Sequence, residues 1–74
     1  MSDLGSAIAA GRRSAGLSQQ AIARRMDVAQ STVSTWESGA VVPTVAHLID
    51  LAVMLKMEPA SLLYVALDGP WSSA

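Results

Sequence analysis

This 74-residue chain has no cysteine and only one histidine. Without thiols there is no disulfide to staple the fold and no thiolate metal centre, and His47 has no second imidazole beside which to bind a metal. No metal or other cofactor is expected. His47 itself reads as a solvated side chain in the first turn of a helix. The acidic residues Asp3, Asp27, Glu37, Asp50, Glu58 and Asp68 are spread one to an element. No pair sits where one helix face would hold it together, no nucleophile has a histidine partner nearby, and the glycines form no phosphate cradle. An enzyme is therefore not expected. No apolar run approaches the ~20 residues of a membrane helix, and the start, MSDLGSAIAAG, lacks the basic residues of a secretory signal. These absences point to a soluble cytoplasmic protein that works by binding.

What the chain does have is apolar residues at helical spacing. The stretch QQAIARRMDVAQSTVSTWES, from Gln19 to Ser38, is spaced for two short helices meeting at a sharp turn. Ile22, Ala23 and Met26 mark one face of the first, Val28 fills the turn, and Val33 and Trp36 mark one face of the second. The other face of the second carries Gln30, Ser31, Ser34 and Thr35, all able to hydrogen-bond to base edges in a major groove wide enough to admit a helix. The pattern reads as a helix-turn-helix with a polar reading face. Trp36, by its spacing from Val33, reads as core, and Met26, Met54 and Met57 as gap-filling side chains.

The rest of the chain supplies three more helices and no strand. Leu4, Ile8, Arg12 and Ala15 recur at helical spacing in a first helix that Gly16 ends, and Ser18 caps the second. Asp27 stands at the turn before the third helix, which runs from about Gln30 to Glu37 and stops at Gly39. Pro43 and Thr44 open a fourth, whose inner stripe is Leu48, Leu51, Ala52 and Leu55. Glu58 and Pro59 start a fifth that holds Leu62, Leu63, Val65 and Ala66. The expected architecture is all-α, a five-helix bundle in one domain over residues 1–66, with a short tail over 67–74.

Charge is the feature least suited to nucleic acid. Five basic and six acidic side chains give a net charge of −1, where DNA-binding domains commonly carry a basic surplus. The distribution is polarised, however, with Arg12, Arg13, Arg24 and Arg25 in the first third and Asp50, Glu58 and Asp68 in the last. One side can still attract a polyanion. Arg24 and Arg25 either grip phosphate or keep the second helix solvated.

LSQQAIARRM, VAQSTVSTWESG and the Gly39 to Pro43 spacing resemble the helix-turn-helix family of phage Cro proteins and phage repressors, the XRE-like regulators, over about Leu4 to Leu63. The resemblance implies a lambda-repressor-like bundle whose third helix enters the major groove of double-stranded DNA, usually as a homodimer on a palindromic operator. It implies base reading by Gln30, Ser31 and Thr35, with Ser34 facing the same groove. It makes Gln19 a phosphate contact that braces the third helix, and it pairs Arg12 with Glu37, an arginine that can also reach phosphate. Departures are also visible. Ala29 stands where the family often has Ser or Thr, Asp27 and Lys56 stand where glycine is frequent, and the loop AVV lacks the usual Lys and Arg. Val41 and Val42 offer an apolar contact surface instead.

The hydrophobic share of 51% is slightly more than a bundle this small needs for itself. Leu62, Leu63, Tyr64, Val65 and Leu67 exceed one inward helix stripe. In the family resembled, this region forms a two-fold interface, so Leu63, Tyr64, Leu67 and Trp71 are the expected dimer contacts. The expected function is a transcriptional regulator, a repressor, with no ligand-binding domain, no small-molecule ligand and no membrane contact. The alternative is the same fold used to bind a protein, as an antirepressor or antitoxin would.

Overall fold

The computed structural model describes residues 3–58. They form α1 (Asp3–Ser14), α2 (Gln19–Met26), α3 (Gln30–Ser38) and α4 (Val45–Met54), and no strand occurs among the described residues. The third helix runs one residue beyond the expected Glu37. The expected fifth helix and the tail, with Leu63, Tyr64, Leu67 and Trp71, lie outside the described residues.

Two helix starts follow directly from capping chemistry. The Ser18 hydroxyl accepts from the Ala21 amide at 3.0 Å, and the Thr44 hydroxyl accepts from the His47 amide at 3.2 Å. Pro43 before Thr44 and Leu48 within the first turns of α4 are both buried, which fixes the angle at which the chain enters the helix. Ala29 gives α3 no such side-chain bond.

Three helix ends share one device. The amides of Leu17, Val28 and Met57 reach back to the carbonyls of Arg12, Ala23 and Ala52, while those of Gly16, Asp27 and Lys56 bond Arg13, Arg24 and Val53. This paired pattern needs a left-handed residue at the turn, and Gly16, Asp27 and Lys56 adopt φ of 72°, 57° and 56°. Each turn residue is followed by an apolar one, and Leu17, Val28 and Met57 all pack against the core. The caps thus aim each connection inward.

The core joins all four helices through Leu4, Ile8, Ile22, Ala23, Val33, Trp36, Leu48, Leu51, Ala52 and Leu55. Ile8, Ile22, Val33 and Leu51 are fully enclosed, each contributing roughly 1.5–3 kcal/mol of burial. Met26, Met54 and Met57 fill space around them. Ala15, expected on the inner stripe of α1, is instead exposed in the turn that follows it. Two glycines let α1 sit close: a methyl at Gly5 would overlap the carbonyls of Trp36 and Glu37, and one at Gly11 would meet the Met57 sulfur. α1 therefore rests against the end of α3.

Candidate nucleic-acid interface

α3 is two-sided. Val33 and Trp36 are buried, whereas Gln30, Ser31 and Ser34 are exposed. Thr35 is half-buried, and its hydroxyl donates to the Thr32 carbonyl at 2.7 Å. That commits its proton within the helix and leaves acceptor capacity alone for any outside partner. The expected polar face is thus formed by three exposed side chains and one that is half-buried and partly committed.

A chain of hydrogen bonds runs beneath this face. Arg12 Nε donates to Glu37 Oε2 at 2.6 Å and Nη2 donates to Oε1 at 3.1 Å, a two-pronged pairing that fixes both groups in plane. Nη1 donates to the Leu17 carbonyl at 3.1 Å, so every guanidinium nitrogen is engaged. Gln19 Nε2 donates to Glu37 Oε1 at 3.0 Å. With its NH₂ turned to a carboxylate, the same carboxamide presents its oxygen to Gln30, whose Nε2 lies 3.5 Å away. One side chain of α2 thereby touches both ends of α3.

The pair is little exposed, at 14% for the Arg12 side chain and 9% for that of Glu37. Burial pushes the Glu37 carboxyl upward, but the hydrogen bonds from Arg12 and Gln19 and the charges of Arg12 and Arg13 outweigh it and hold the group below its ordinary value. The hydrogen bond to Glu37 raises Arg12 in turn, against a smaller opposing effect of burial. Both groups stay charged across the neutral range.

Arg24 and Arg25 are exposed in the last turn of α2, where they also complement the helix dipole. Arg24 lines an open groove of about 350 Å³ with Gln20, Ala23, Val28 and Gln30. Gln20 was not singled out in the sequence. Its signal was its place beside Gln19 at the start of α2, facing the N-terminus of α3. His47 differs from the expectation of a solvated side chain: it is half-buried, its ring centroid 5.1 Å from that of Trp36 at a tilt of 46°. The tilted packing lets α4 lean on the back of α3. No cluster able to hold a metal ion occurs among the described residues.

A family model described as helix-turn-helix matches residues 8–62. The chain belongs to the XRE-type helix-turn-helix family, that of Cro and the phage repressors. No curated protein and no solved structure matches it. Membership in the XRE-type family points to a DNA-binding regulator of transcription, and the family is typically non-enzymatic. No helix among the described residues is long and apolar enough to cross a membrane.

Proposed function

We propose that this XRE-type protein is a sequence-specific repressor that places α3 in the major groove of a palindromic operator, one copy to each half-site, and so occludes RNA polymerase. The observation that carries the reading is the exposed edge of Gln30, Ser31 and Ser34 on a helix tied at both ends through Gln19. Gln30 pairs with adenine through its carboxamide, Ser31 and Ser34 bond neighbouring base edges, and Thr35 offers its oxygen as an acceptor. Arg24 and Gln20, flanking Gln30 in the groove, take phosphate. Arg12 and Gln19, whose polar atoms are already engaged, orient α3. With a net charge of −1, affinity is modest and falls gently with salt.

Selection from randomised duplex DNA at low salt tests the reading. An enriched half-site supports it. No enrichment would overturn it in favour of the protein-binding alternative, to which the uncharged loop with exposed Val41 and Val42 is suited.

A further inference from the structure

Glu37 and Gln30 stand at opposite ends of α3, yet one side chain of α2 connects them. Gln19 Nε2 donates to Glu37 Oε1 at 3.0 Å, and Gln30 Nε2 lies 3.5 Å from Gln19 Oε1. The direction of both bonds is decided at the carboxylate. Glu37 is held below its ordinary value and carries no proton at neutral pH, so it can only accept. Its side chain is 9% exposed, so water competes little for its oxygens. Gln19 must therefore turn its NH₂ to Glu37, which leaves its oxygen for Gln30. Gln30 must in turn give Gln19 an N–H.

That fixes what Gln30 shows to a base. A carboxamide NH₂ has two hydrogens, one on the same side as its own oxygen and one pointing away. With the second given to Gln19, the edge left for the groove is one oxygen and one N–H. Adenine fits this edge, since its N6 donates and its N7 accepts, whereas O6 and N7 of guanine both accept. Guanine would set its O6 against the Gln30 oxygen. An untethered glutamine escapes the conflict by turning its NH₂ to the base and donating both hydrogens. Here that turn would break the bond to Gln19 and set the oxygens of Gln19 and Gln30 against each other.

We propose that Glu37, a positioning residue that touches no base, makes the reading face reject guanine at the base Gln30 reads, by setting the direction of the hydrogen bonds through Gln19. The base contact rests on the operator reading; the direction of the bonds does not. Holding α3 in place and directing these bonds have different signatures. Lost orientation weakens binding to every sequence alike, while lost direction changes the ratio between two bases.

Two substitutions read that ratio. Glu37→Gln keeps an oxygen for Arg12 Nε, its shorter bond, and puts an NH₂ before Gln19. Gln19 then turns over, Gln30 follows, and both Gln30 hydrogens face the groove. Gln19→Met leaves the Arg12 and Glu37 pair intact and lets Gln30 turn either way. Each is titrated against the selected half-site with adenine or guanine at the position whose preference Gln30→Ala abolishes. Wild type should favour adenine by about tenfold, and both variants should bring the two bases within about twofold or favour guanine. A wild-type preference for guanine, or a ratio unchanged in the variants, overturns the proposal. Proton NMR of the free wild-type protein tests the direction without DNA or substitution. The Gln19 NH₂ should show nuclear Overhauser contacts to Glu37, and contacts to Gln30 instead would reverse the direction and overturn the proposal. A wild-type protein that selects no half-site would overturn the operator reading, and the NMR contacts would still decide the direction of the bonds.

Discussion

α2 and α4 each begin on a hydroxyl that accepts a first-turn amide, while α3 begins on Ala29 and has no side-chain cap. Of these three helices, α3, which turns Gln30, Ser31 and Ser34 outward, has the least local support at its start. It is held by its neighbours: Arg12 and Gln19 grip Glu37 near its end, Gln19 receives Gln30 at its start, and Gly5 lets α1 lie against its last carbonyls. The placement of α2 and α4 is written in adjacent residues. That of α3 is a tertiary property, and cutting its ties should shift the reading face while the rest of the bundle stays folded.

The largest effect is expected at Gly5. Gly5→Ala puts a methyl against backbone carbonyls that have no rotamer to move into, so α1 must lift from α3 at a cost of about 3 kcal/mol, the upper end for overpacking. A urea melt measures it. A loss below ~1 kcal/mol would mean that α1 slides easily and is not a support for α3.

Glu37→Ala comes next. It leaves the Arg12 guanidinium, little exposed, without its acceptor, and should cost about 2 kcal/mol, between the small value of an exposed pair and the larger one of a fully buried pair. The same pair gives a pH signature. The carboxyl of Glu37 is held below its ordinary 4.5 in the folded protein. Its contribution is therefore fully present above that value and is lost as the pH falls through the lower folded-state one. Glu37→Gln should lack this part of the acid dependence in a series of melts. Parallel wild-type and variant curves would mean that the carboxylate contributes nothing through its charge.

The caps give the smallest changes and the sharpest contrast. Ser18→Ala should lower stability by about 1 kcal/mol, and Ala29→Ser should raise it by about the same or less by adding the missing cap. If Ala29→Ser also left DNA preference unchanged, the orientation of α3 would be shown to come from its neighbours. A changed preference would return that role to the local cap.

The same division explains what the sequence made legible. Ser18, Thr44, the turns at Gly16 and Asp27, and the core periodicity were readable because caps, left-handed turns and helical spacing involve residues a few positions apart; the turn at Lys56 was placed through the family resemblance. Arg12 and Glu37 lie 25 residues apart, and no spacing rule places them together; they were named as a pair through the family resemblance. Gly5 gave no signal, since its role depends on where α1 crosses α3. The packing of His47 on Trp36 was missed for a related reason, because it depends on where α4 meets α3. The bond from Thr35 to the Thr32 carbonyl is local, but helical spacing shows only which face a hydroxyl lies on and not whether it turns back to its own helix.

The central claim is that Gln30 reads a base from a helix held in place by Gln19 and Glu37. The direct measurement is titration of wild type and Gln30→Ala against the selected half-site and its single-base-pair variants at fixed salt. The account predicts that Gln30→Ala loses about 1–3 kcal/mol on the preferred sequence and relaxes preference at one base pair per half-site. A uniform loss across all sequences, or unchanged discrimination at every position, would contradict it.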